Sequence, residues 1–265
     1  MPLLLLKLTL TPVLVGGASI AARRWGPAVA GWIVALPLTS GPVLFFVALD
    51  HGPAFAAEAA VGTTLGLAAI VAYSLAFAVA SARGPAAALA AATAAYVAAG
   101  LVLQAAAGWP FLLLAALVAA SILATLLIIP PSPAGPSTRQ QPSWDLPARI
   151  VVGTVLVVGL TTIAPLLGPT VSGIVTTFPV YVSVLTVFAF LGDGRPAAMG
   201  VLRGALIGLP GTVAFYVPIH FLVATAGIAP AFALSLAVTS AIGMVALPRA
   251  RGRMPILEEL EPELV

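Results

Sequence analysis

A chain of 265 residues that is 61% hydrophobic and only 7% charged, with a mean hydropathy of +1.16, carries more apolar side chain than a soluble core can bury. Lipid is therefore its solvent. A bilayer core about 30 Å thick takes roughly 20 apolar residues as a helix, which leaves room for about nine spans and no sizeable soluble domain for catalysis or nucleic-acid binding. The net charge of +3 comes from basic residues at the ends of apolar stretches, where membrane orientation accounts for them. With no cysteine, disulfides, thiol catalysis and thiolate metal sites are excluded.

Apolar stretches broken by Gly, Pro or charge predict helices at 3–22, 27–49, 54–80, 86–107, 109–129, 148–167, 169–191, 197–224 and 229–248. The first has no basic region ahead of its leucines and is repeated later in the chain, so it is expected as a retained span and not a signal peptide. Residues 130–147, rich in Pro, Ser and Gln, read as the one long linker. Four segments are expected. They are a four-helix unit over 1–108, a linking helix with its linker over 109–147, a second four-helix unit over 148–250, and a tail over 251–265.

The two four-helix units are copies. A shift of 142 positions aligns residues 10–72 with 152–214 without a gap, and 19 of the 63 positions are identical. Six of the eight glycines in the first copy meet a glycine in the second: Gly17/Gly159, Gly26/Gly168, Gly31/Gly173, Gly52/Gly194, Gly62/Gly204 and Gly66/Gly208. Pro27 meets Pro169, Pro37 meets Pro179, and Lys7 and Arg149 open the copies in register. Whether the copies are parallel or inverted depends on the extra segment from Pro110 to Ile129. If all nine segments cross with the N-terminus outside, Arg23, Arg24, Arg83, Arg139, Arg149, Arg195, Arg249, Arg251 and Arg253 lie on the cytoplasmic side, with Arg203 just inside it. Only Lys7 dissents. The first and sixth helices are then an odd number of spans apart, so the second unit is upside down relative to the first.

The run Gly31-Trp-Ile-Val-Ala-Leu-Pro-Leu-Thr-Ser-Gly41, preceded by one helix and followed by two, resembles the GlpM-like family of small four-helix bacterial membrane proteins. Those carry a similar Leu-Pro-Leu-Thr-Ser run. The likeness covers residues 1–107 best; the second unit has Phe178-Pro179-Val180-Tyr181-Val182 where the first has Leu36-Pro37-Leu38-Thr39-Ser40. The resemblance implies a fused, diverged pair of such units in a bacterial cytoplasmic membrane, with a reported link to exopolysaccharide production. It supplies a fold more than a mechanism.

No P-loop, His-Glu-x-x-His, nucleophile elbow or cysteine pair is present, so an enzyme is not expected, nor a cofactor or metal. Proline in the middle of the second and seventh helices is the most informative feature. Pro37, followed by Pro42, and Pro179 each remove a backbone hydrogen bond at matching depth, and the freed carbonyls need partners. Thr39, Ser40, Thr176, Thr177, Tyr181 and Ser183 are near enough to supply them, or to join the carbonyls in contacting a solute. Broken helices in inverted repeats are the sequence pointer to a secondary-transporter site.

Glu58-x-x-x-Gly62-x-x-x-Gly66 is matched by Gly200-x-x-x-Gly204-x-x-x-Gly208, and small residues at every fourth position predict flat packing faces. Glu58 is then expected on a packed face, as a proton or cation site or as an interfacial carboxylate. With Asp50, His51 and His220 it is a candidate outer protonatable cluster. Asp193 and Arg195 read as a solvated turn, and Arg203 as a side chain snorkelling to the cytoplasmic surface or an inner gate.

The resulting expectation is an all-α protein of about nine transmembrane helices, two inverted four-helix repeats joined by one extra helix. Its expected function is a permease for a small neutral, amphiphilic or lipid-like solute bound between the Pro37 and Pro179 helices. The alternative is a non-transporting scaffold or assembly factor of a cell-envelope pathway, docking through its small-residue faces. Membrane lipids, the solute and a second copy of the chain are the expected partners; nucleic acid is not.

Overall fold

The computed structural model describes residues 2–37, 40–129, 131, 142–163 and 177–250. Every regular element among them is helical: α1 (Pro2–Trp25), α2 (Pro27–Ala35), α3 (Ser40–His51), α4 (Pro53–Ala80), α5 (Pro85–Leu103), α6 (Phe111–Ile128), α7 (Asp145–Ile163), α8 (Val180–Asp193), α9 (Arg195–Ala226) and α10 (Ile228–Ala250). Short 3-10 turns at Ser81–Arg83 and Gln104–Ala106 extend α4 and α5. Five stretches are long and apolar enough to cross a membrane: Pro53–Arg83, Pro85–Ala106, Phe111–Ile128, Arg195–Ala226 and Ile228–Ala246. Such an architecture fits a multi-pass membrane protein. Most of the expected linker, residues 132–141, and the tail, residues 251–265, lie outside the described residues, as do the repeat positions Gly168, Pro169 and Gly173.

The helix starts explain why the expected limits are close to the observed ones. Gly26, Gly52 and Gly84 each take φ between 90 and 97°, a conformation that L side chains avoid, and each is followed by a proline at the first helical position. The glycine supplies the sharp turn, and the proline loses nothing because its missing N–H has no partner in a first turn.

The core forms around α9, which packs against α2, α4, α6, α8 and α10 and buries Leu202, Leu206, Tyr216 and Ile219 completely. Its closest neighbour is α2. A Cβ at Gly31 would collide with the Val201 carbonyl, one at Gly204 with the Ala28 carbonyl, and one at Gly208 would come within 2.9 Å of the Trp32 carbonyl. Only glycine lets the two backbones meet this way. Pro27 faces Gly200 and Ala35 faces Gly208, so α2 and α9 run in the same direction.

Other pairs run in opposite directions. Between α4 and α9, the Ala57 carbonyl meets His220 at one end and Ser81 meets Arg195 at the other. Between α1 and α7, Val15 packs on Gly153 while Arg23 pairs with Asp145. α6 starts with Phe111 stacked on His220 and ends with its last carbonyls at Arg203.

These directions sort the charged residues. One end of the bundle holds Arg23, Arg24, Arg83, Arg149, Arg195 and Arg203; the other holds His51, Glu58 and His220. At the arginine end Asp145, 7% exposed, accepts from Arg149 at 2.9 Å and from Arg23 at 3.0 Å, while the Arg149 guanidinium lies over the Phe188 ring. Asp145 thereby joins the end of α1, the start of α7 and α8. Its removal would strand the buried Arg149 charge, a loss of roughly 3–5 kcal/mol.

Candidate functional site

Both expected helix breaks are present. The first separates α2 from α3. Helix α2 ends at Ala35, Leu36 turns to an extended φ of −67° and ψ of 151°, and α3 starts at Ser40 with the Gly41 N–H donating to the Pro37 carbonyl at 3.0 Å. The Ala35 carbonyl, released by the break, accepts from the Thr212 hydroxyl of α9. Tyr216, one turn further along α9, is fully buried, with the Ser40 and Thr63 hydroxyls beside its own. Phe215 packs edge-on against Tyr216 and Phe232, and its ring touches the position of a Cβ on Gly41.

The second break precedes α8. Pro179, at φ −78° and ψ 63°, is the centre of an inverse γ-turn in which the Val180 N–H donates to the Phe178 carbonyl at 2.8 Å. Ser183 donates back to the Pro179 carbonyl at 2.9 Å. Phe178 is clamped edge-on between two rings, Tyr73 of α4 at 6.0 Å and Tyr96 of α5 at 5.4 Å. Tyr96 and Thr177 share a 2.7 Å hydrogen bond, and Tyr181 and Thr11 of α1 share one of 3.0 Å. Tyr73 is fully buried with its hydroxyl beside that of Ser183.

The two breaks are framed by matching contacts. Ala35 lies against Gly208, and Thr177, which is 142 positions after Ala35, lies against Gly66, which is 142 positions before Gly208. The same shift relates Gly41 beside Phe215 to Ser183 beside Tyr73. At 1.5 Å per residue, Gly66 and Gly208 each stand about 20 Å from the first residue of their helix, near mid-depth.

Of the expected solute-contacting residues, the structure thus places Pro37 and Ser40 at one break and Thr177, Pro179, Tyr181 and Ser183 at the other. Thr39 and Thr176 lie outside the described residues. The expected protonatable cluster gathers around the start of α4 but is not joined: His51 packs on Phe55, His220 bonds the Ala57 carbonyl at 3.1 Å, and Glu58 is exposed. No hydrogen bond or ion pair among the described residues links any two of them, and the Asp50 side chain lies outside those residues.

One expectation is corrected. Glu58 and Gly62 are exposed, not on a packed face, and no described atom stands within 4 Å of a Cβ at Gly62. The packed side of α4 is instead the stripe Ala56-x-x-x-Ala60-x-x-x-Thr64, all fully buried. In an alanine-rich helix every side is small, so glycine spacing alone does not select the face. Arg203, expected as a side chain snorkelling to the cytoplasmic surface or an inner gate, donates to the Leu126 and Ile129 carbonyls and caps the C-terminus of α6. Arg195, expected in a solvated turn, donates to the Ser81 hydroxyl at 2.7 Å.

Sequence reasoning passed over Tyr73, Tyr96, Tyr216 and Thr212. The chain has only four tyrosines, and all four stand at the breaks. Tyrosine ordinarily collects at membrane interfaces, so tyrosine confined to mid-span positions was a readable signal. Comparison with protein-family models, with curated proteins and with solved structures finds no match for this chain.

Proposed function

We propose that this chain is a nine-pass transporter built from two inverted copies of a four-helix unit, moving a small neutral, amphiphilic or lipid-like solute past its two broken helices by alternating access. The matched contacts at the breaks carry this reading: each copy's third helix, α4 or α9, braces the broken helix of the other copy at mid-depth. The opposed directions of α1 and α7, and of α4 and α9, support the inversion, since each pair holds the same rank in its copy. The gathering of arginines at one end supports a cytoplasmic C-terminus and an outer N-terminus. Exposed Trp25 and Trp144 near that end and Trp109 near the other suit the two interfaces of a bilayer. A bacterial cytoplasmic membrane and kinship with the GlpM-like family rest on the Leu-Pro-Leu-Thr-Ser run.

Asp145 with Arg23 and Arg149, and Arg203 at the end of α6, are engaged at one end of the bundle and not at the breaks, which favours an uncharged solute, because an ion would need a fixed counter-charge at that depth. A scaffold would need an uncovered small-residue face. That of Gly200, Gly204 and Gly208 is filled by α2, while Gly62 of α4 stands open.

The native chain has no cysteine, so single-cysteine accessibility gives a direct test. Ser40→Cys and Ser183→Cys, reconstituted in vesicles, should react with a membrane-impermeant maleimide added from either face, with solute shifting the balance. Protection of both positions from both faces would remove the transport reading.

A further inference from the structure

We propose that the last turn of α1 and the start of α7 form a binding site for the headgroup of an anionic phospholipid. The inference rests on the reading of α1 and α7 as membrane spans whose arginine end lies at the cytoplasmic surface, and it requires neither a solute nor transport.

The carboxylate at this place is already committed. Arg149, itself 3% exposed, donates to both Asp145 oxygens, at 2.9 and 3.2 Å, in the bidentate geometry that matches one charge with the other. Arg23 reaches the same carboxylate at 3.0 Å with a side chain that is still 38% exposed. Arg24, next in the chain, is exposed. Three arginines thus meet one aspartate, and the cluster carries two positive charges in excess, both on the open side. Guanidinium groups donate and never accept, so the partner they suit is one that only accepts, a phosphate.

Two tryptophans fix the depth. The Arg24 guanidinium lies over the Trp25 ring, 5.5 Å from its centroid, and Trp144 immediately precedes Asp145; both indoles are exposed. Indole collects at the level of lipid headgroups, which sets the arginines beside phosphate and not beside acyl chains. The faces that lead away from the cluster are apolar. On α1, Val13, Gly17, Ile20 and Arg24 share one exposed helical face, and no described atom stands within 4 Å of a Cβ at Gly17; on α7, Trp144, Val151 and Val155 do the same. A soluble anion would use the charges alone. A phospholipid uses both parts, its phosphate on Arg23 and Arg24 and its acyl chains along the stripes.

The test titrates the full-length protein in detergent with dioleoylphosphatidylglycerol or dioleoylphosphatidylcholine and counts bound lipid by native mass spectrometry. Wild type should prefer the glycerol lipid. Arg24→Gln should bind it about tenfold more weakly, the loss of one charge-assisted hydrogen bond, with an unchanged thermal midpoint in lipid-free detergent because the side chain is exposed. Arg83→Gln, an exposed arginine at the same end of the bundle but on the turn after α4, should bind as wild type does. Equal losses in the two variants would reduce the effect to the general attraction of a basic surface and overturn the site, as would equal affinity of wild type for the two lipids. Displacement of the glycerol lipid by inorganic phosphate would give the cluster to a soluble anion and overturn it as well. So would lipid binding that appears only after Glu258, Glu259, Glu261 and Glu263 are changed to glutamine, since the chain's own tail would then be the occupant. Labelling of Trp144→Cys from the cytoplasmic face of vesicles checks the span reading separately: a missing lipid preference with that labelling intact overturns the site alone, and leaves transport to the labelling at Ser40→Cys and Ser183→Cys.

Discussion

Gly204 sits where any larger residue would push against the Ala28 carbonyl, and Gly31 where it would meet that of Val201. Gly204→Ala should therefore force α2 away from α9 and destabilise the protein by about 1–3 kcal/mol or more, the range for overpacking. Gly62→Ala, in the same glycine spacing but on an open face, should be neutral or stabilise by up to about 1 kcal/mol through helix propensity. Thermal or denaturant unfolding in detergent compares the two directly, and equal effects would contradict the packing described. The glycine pattern itself was plain in the sequence. Which of its two occurrences is packed was not, because Ala56 and Ala60 offer α4 a second small stripe that residue spacing does not rank against the first.

Helix α6 appears in the sequence only as an interruption between two copies, and its length and hydropathy are legible without its purpose. The structure ties it down at both ends: Phe111 stacks on His220 with ring centroids 4.3 Å apart, and Arg203 takes its terminal carbonyls. An arginine two turns inside an apolar helix looks like a snorkelling side chain when no neighbour is known. Its partners are carbonyls 74 and 77 positions away, a separation no local pattern encodes. Arg203→Met should leave those carbonyls without donors, lower stability by about 1–3 kcal/mol, and raise protease cleavage in the segment after Ile129. Unchanged cleavage would show that the helix end is held by packing alone. Breaks, by contrast, were legible at element level, since proline at Pro37 and Pro179 has the same physical consequence in any helix.

At the scale of the molecule, charge and repetition go furthest. Among the described residues, Arg23, Arg83, Arg149, Arg195 and Arg203, which a cytoplasmic bias assigns to one side, do gather at one end of the bundle. Cysteine placed at Arg83, Trp144 or Arg195 should label from one face of the membrane and cysteine at Gly108 from the other; labelling of Arg83 and Arg195 positions from opposite faces would end the topology. The crossed contacts at the breaks were beyond sequence reasoning, because a repeat reveals what two segments share and not how they touch.

The bracing of each broken helix by the opposite copy bears on ancestry. Neither copy owns a complete wall: α2 has its glycine-lined seat on α9, and Thr177 has its seat at Gly66. On the inverted duplication proposed above, a lone ancestral unit would have met its complement only in a sister inserted the other way up, which places insertion in both orientations before fusion. On the same proposal, the odd helix between the copies fixes within one chain the opposed orientations that two free subunits would each have had to find.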